Sequence, residues 1–106
     1  AVGVSTYYVC DSREDEADAI VKSALAPILN RHVKEGKLGS WSWLQHRMGG
    51  KYRRTLVLDV ADHKSAMKVW GLVGSAIDKE QPEMFARFGE ICDSHSDYVW
   101  DLGTGK

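Results

Sequence analysis

Apolar and polar positions recur along the chain with two periods, and the switches between them divide it into seven elements. Residues 2–10 (VGVSTYYVC) are rich in β-branched and aromatic side chains and end at Asp11-Ser12, which predicts a strand buried on both faces. Beyond it, Ala17, Val21, Ala24 and Ile28 keep one helical face apolar, Glu14, Asp15 and Glu16 suit a helix N-terminus, and Gly36 closes the helix. Ser12 with Asp15 three residues later resembles a capping box. Pro27 lies inside this helix and removes a backbone donor, so a kink or break is expected near Ser23 to Pro27.

Two strands, residues 40–48 and 52–61, flank Gly49-Gly50, a pair that tolerates positive φ and therefore suits a tight hairpin. Asp62 or His63 then caps a helix whose apolar face is Met67, Trp70, Val73 and Ile77. After a turn at Glu80 to Pro82, Met84, Phe85, Phe88, Ile91 and Cys92 form another helical stripe, and residues 96–102 (SDYVWDL) read as the last strand. The order predicts an α+β, ferredoxin-like βαββ(αα)β fold, in which a four-stranded antiparallel sheet of order 4-1-3-2 carries its helices on one face. Residues 1–106 are expected to form a single domain.

A symmetric Gly49-Gly50 hairpin also sorts the two faces. Opposed residues then sum to 99, which pairs Trp43 with Leu56, Trp41 with Leu58 and Gln45 with Arg54. Leu56, Leu58 and Val60 belong to the core, so Trp41 and Trp43 are expected beneath the helices with Trp70. The opposite face collects His46 against Arg53, Leu44 against Thr55, Ser42 against Val57 and Ser40 against Asp59.

Composition then narrows the partners. Fourteen basic and fifteen acidic side chains give a formal charge of −1, which argues against nucleic acid or an anionic membrane held by bulk electrostatics. The third strand, TLVLDV, offers no aromatic for stacking bases. Apolar runs fall far short of the roughly 20 residues that a spanning helix needs. Chain start at Ala1 fits either a removed signal peptide or a trimmed chain, so the compartment stays open.

Two cysteines are too few for a ferredoxin cluster. Antiparallel pairing of the first and last strands brings Cys10 toward Cys92 and His95. Three readings are open there: two small buried cysteines, a disulfide implying an oxidising compartment, or a zinc site whose fourth ligand is missing. No metal or cofactor is expected. His32 and His63, at a helix end and a helix start, are expected at the surface.

Together with the βαββαβ order, the segments GKLGSW (36–41), MGGKYRR (48–54) and SHSDYVW (94–100) resemble the dimeric alpha-beta barrel group of ferredoxin-like proteins. The group includes antibiotic-biosynthesis monooxygenases, haem-degrading enzymes and stress-responsive barrel proteins. The resemblance implies two sheets packed face to face as a homodimer, helices outside, with a pocket inside each subunit. Two functions follow as expectations. One is a homodimer binding a small organic molecule on the sheet face, lined by Ser42, Leu44, Thr55 and Asp59. The other is a cofactor-independent, monooxygenase-like or isomerase-like enzyme with His46 as acid or base and Arg53 holding an anionic oxygen.

Overall fold

The structure is a computed structural model describing residues 2–101. Its elements are β1 (Val2–Val9), α1 (Glu14–Ile20), a π-turn (Val21–Leu25), α2 (Ala26–Lys34), β2 (Ser40–Gln45), β3 (Arg54–Val60), α3 (His63–Glu80), α4 (Pro82–Ile91) and β4 (Ser94–Asp101). The expected final residue of the last strand, Leu102, lies outside the described residues. All strands pair antiparallel in the order β2-β3-β1-β4, the expected arrangement.

The hairpin register is the expected one, but the strands end at Gln45 and begin at Arg54 rather than running on to a tight Gly49-Gly50 turn, so the connection is a wider loop. Trp43 faces Leu56, Trp41 faces Leu58 and Gln45 faces Arg54, and His46 N–H donates to the Arg53 carbonyl at 2.8 Å. Gly49 and Gly50 take φ of 60° and 81°, which explains why glycine occupies both positions. Trp41 and Trp43 pack against the core on the helix side, donating to Asn30 and Asp18 at 2.8 Å. Both are only half-buried, because β2 is an edge strand and the helices do not reach fully over it.

Several local expectations are corrected. Ser12 does not cap α1: it lies in a short 3-10 turn, and the first helical position is preceded by Arg13 with no side-chain cap. Asp62 does cap α3, in a reciprocal pair with Ser65. The helix break before Pro27 is a π-turn, whose wider hydrogen-bond spacing absorbs the missing proline donor without ending the helical path. The buried stripe of α3 is Ala66, Val69, Val73 and Ile77, so Met67 points outward at 67 % exposure and Trp70 is only partly covered. On α4, Phe88, Ile91 and Cys92 are buried, while Met84 and Phe85 lie at the surface. His32 is buried rather than exposed, its Nδ1 2.8 Å from the Ile28 carbonyl oxygen, a bond that lets an imidazole enter the core.

The core lies between the helices and the sheet, around Leu29, Leu58 and Ile91. Cys10 and Cys92 are joined as a disulfide with α-carbons 4.0 Å apart, tying the end of β1 to the residue that closes α4. This resolves the three readings of that pair and removes the thiolates a zinc site would need. No helix among the described residues is long and apolar enough to cross a membrane.

Candidate functional site

Each face of the sheet carries one candidate surface. On the open face the register forms rows across β2, β3, β1 and β4: Leu44–Thr55–Tyr7–Ser96, Ser42–Val57–Ser5–Tyr98 and Ser40–Asp59–Gly3–Trp100. Tyr7 packs edge-on against Tyr98 and Tyr52, Tyr98 lies 5.8 Å from Trp100, and the Trp100 indole donates to Ser5 Oγ at 2.7 Å. Leu44, Tyr98 and Trp100 remain about half exposed, at 52 %, 49 % and 52 %. This is an aromatic strip flanked by polar residues.

Of the sequence-derived site residues, Ser42, Leu44, Thr55 and Asp59 lie on that face, whereas the His46 and Arg53 side chains turn elsewhere. Thr55 is buried between Leu44 and Tyr7, while Ser42 and Leu44 are exposed on β2. Asp59 accepts from the Ser40 hydroxyl. His46 turns back onto its own loop, with Nδ1 2.9 Å from the Gly49 carbonyl oxygen. Arg53 reaches Glu14 on α1, its Nε donating at 2.9 Å. The backbones of His46 and Arg53 are therefore together, but their side chains serve different partners.

On the helix side, β1, β3, β4, α3 and α4 border a half-open cavity of about 380 Å³. Leu25, Leu56, Val73 and Ile77 line its depth, and Trp70, Phe85 and Phe88 supply aromatic walls. Three polar side chains meet there: Tyr8, His95 and Asp97. Tyr8 and His95 are direct partners across β1 and β4, with ring centroids 5.8 Å apart. His95 Nδ1 lies 3.3 Å from Asp97 Oδ1 and 3.2 Å from Oδ2. Because strand side chains alternate, His95 and Asp97 share this face while Ser94, Ser96 and Tyr98 take the other.

Burial, and secondly the Asp97 charge, push the Tyr8 phenol above its ordinary range, while the nearby Thr6 hydroxyl acts weakly in the opposite sense. Tyr8 is thus a neutral O–H donor at physiological pH. Thr6 is fully buried between Leu56 and Asp97 in register, and its hydroxyl forms no hydrogen bond of good geometry among the described residues. A wider depression of about 620 Å³ lies near Gly36, Leu38, Asp59 and Ser65. It has no aromatic wall, and its Asp59 carboxylate is already engaged by Ser40.

The sequence points to His95 only as a zinc-ligand candidate and gives no site role to Tyr8, Trp70 or Asp97. The alternation in Ser94-His95-Ser96-Asp97, combined with β1–β4 pairing, is the signal that places His95 and Asp97 beside Tyr8.

The fold has solved counterparts. An uncharacterized NIPSNAP domain protein from Burkholderia xenovorans superposes with a TM-score of 0.70 at 11 % identity, covering 94 % of this chain and 91 % of that one. A NIPSNAP family protein from Agrobacterium tumefaciens gives 0.71 at 14 % identity, over 94 % and 90 % of the two chains. A de novo designed protein with a ferredoxin fold gives 0.50 at 14 %, over 99 % and 88 %. At such identities the likeness establishes the ferredoxin-like α+β fold. No protein-family model matches the sequence, and no curated protein matches it.

Proposed function

We propose that the chain acts as a homodimer joined through the open sheet face, and that each subunit holds one small, largely apolar organic molecule between the sheet and α3/α4. The observation that carries the ligand reading is a pair of helix-interior glycines. Gly74 on α3 and Gly89 on α4 both line the cavity, and a Cβ at either would meet nothing within 4 Å. Glycine inside a helix costs about 1 kcal/mol relative to alanine, and no packing contact here demands it. At these positions they keep the rim of the cavity clear of side chains, around a volume and aromatic lining suited to a small ligand.

The dimer reading rests on the aromatic strip. Tyr98, Trp100 and Leu44 form the kind of exposed apolar surface that marks an interface, and two such sheets can stack face to face about 10 Å apart. Sedimentation at micromolar concentration is expected to give twice the chain mass. Trp100→Glu, which places a charge in that seam, is expected to give one chain mass with the fold retained; a wild-type monomer would remove the proposed interface.

The cavity is tested with β-tetralone, a neutral aromatic ketone, followed by ligand NMR line broadening. Wild-type protein is expected to bind it. Gly74→Ala should still fold and gain about 0.5 to 1 kcal/mol from helix propensity. Gly74→Leu, whose side chain enters the open space, is expected to weaken binding at least about tenfold, the scale set by about 1.4 kcal/mol of lost contact. A second reading places the ligand on the open face with Ser42, Leu44, Thr55 and Asp59, as a binding site without the His46–Arg53 pair, whose side chains turn to other partners. It is favoured by the burial of Thr55 there. On that reading binding survives Gly74→Leu and is lost in Thr55→Val.

A further inference from the structure

We propose that the cavity is a proton-transfer site for neutral, enolisable aromatic ketones, with His95 as the base and Tyr8 as the donor to the developing oxyanion. The proposal rests on the cavity being the ligand site and adds a reaction to it.

The wall chemistry selects the substrate class. Trp70, Phe85 and Phe88 favour a flat apolar body, and among the described residues Asp97 is the only carboxylate or permanently charged group lining the space. With no lysine or arginine among the described residues of the wall to pair with one, a carboxylate or phosphate ligand would meet repulsion from Asp97. A neutral carbonyl compound meets none, and its oxygen needs one donor. Tyr8 supplies that donor, since burial beside Asp97 holds its proton on the phenol.

The base follows from the Asp97 contact. A carboxylate 3.2 to 3.3 Å from Nδ1 of His95 orients the ring and favours the tautomer with the proton on Nδ1, which leaves the Nε2 lone pair to accept a proton. Asp97 is thus a positioning residue. In the forward step, the C–H bond beside the carbonyl breaks and its proton forms an N–H bond on His95 Nε2. The electron pair moves into a C=C bond as the carbonyl π pair shifts to oxygen, where the Tyr8 O–H donates a hydrogen bond and keeps its proton. The imidazolium is stabilised by Asp97, and returning the proton to carbon restores the protein. Delivery to the same carbon is exchange, and delivery to a conjugated carbon is double-bond isomerisation. Neither needs an oxidant, a reductant or a co-reactant.

The test is deuterium incorporation beside the carbonyl of β-tetralone in heavy water, followed by NMR, with binding measured in the same samples. Wild-type protein is expected to accelerate exchange at least tenfold over buffer. His95→Gln should lower the protein-dependent rate about a hundredfold or more, and Tyr8→Phe about a hundredfold, with β-tetralone still bound by both. His95 is half exposed, so its variant should fold as the wild type does, which a melting curve verifies. Binding by wild-type protein without accelerated exchange overturns proton transfer and leaves the binding site standing. Exchange undiminished in His95→Gln overturns the assigned base. Absence of binding overturns both the reaction and the cavity reading beneath it.

Discussion

Replacing both half-cystines, Cys10→Ala with Cys92→Ala, should lower stability by about 4 kcal/mol and the melting midpoint by about 15 °C. The size follows from the loop. The bond spans 82 residues, nearly the whole described chain, and closing a loop of that length removes much of the unfolded chain's freedom. Both residues are almost fully buried, so the substitutions add only a small packing loss. Thermal melts in the presence and absence of reductant provide the check. Reductant should bring wild-type protein to the midpoint of the double variant and leave the variant unchanged; an unchanged wild-type midpoint would show that the bond contributes nothing. Cys92 also lines the cavity, so the bond fixes the α4–β4 corner on which His95 and Asp97 are mounted.

What the sequence made legible was periodic. Strand alternation and a symmetric glycine turn placed Trp41, Trp43, Leu56 and Leu58 on one face, because one fixed pairing determines all the others. Closeness of Cys10 and Cys92 followed from topology alone, whereas their bond depends on a separation that pattern does not specify. The pattern alone misplaces the face of α3, because the large side chains of Met67 and Trp70 offer more apolar area than Ala66 and Val69. Close packing against the sheet favours the small and β-branched residues and turns Met67 outward. His32, at a helix end, reads as a surface residue, since a bond to its own helix's carbonyl is invisible to a pattern of burial. The cavity was illegible for a different reason. It is a gap between layers, marked only by Gly74 and Gly89, and a helix-interior glycine signals lost propensity before it signals preserved space.

A second large effect is expected at the ion pair beside the cavity. Arg54 stands in the cross-strand row Gln45–Arg54–Tyr8–His95, its side chain only 8 % exposed. It donates from Nε to Asp18 Oδ1 at 2.8 Å and from Nη2 to Oδ2 at 3.0 Å, while the Trp43 indole donates to the same carboxylate. Asp18→Ala therefore removes the bidentate partner of a buried guanidinium and the acceptor of an indole N–H, leaving Arg54 only the Arg53 carbonyl and the more distant Glu14 at 3.9 Å, and should cost about 2 to 3 kcal/mol. Arg53→Ala, which breaks a more exposed pair with Glu14, should cost about 1 kcal/mol or less. Urea unfolding of the two variants measures both, and equal losses would show that the buried pair has no special weight.

The pH dependence gives the same pair an independent signature. Burial pushes the Asp18 carboxyl upward, but hydrogen bonds from Arg54 and Trp43 together with the Arg54 charge outweigh it, and the net shift is downward from 3.8. A carboxyl depressed in the folded state adds stability that is complete above its unfolded pKa and disappears as pH falls through its folded one. The deficit of Asp18→Ala relative to wild type should thus be constant from about pH 5 to 8 and shrink at pH values below 3.8. A deficit that instead persisted undiminished into acid would assign the loss to packing around the truncated side chain. Asp18→Leu combined with Arg54→Met separates the two causes further: it removes both charges while keeping the volume, and should recover most of the stability lost in the single variant.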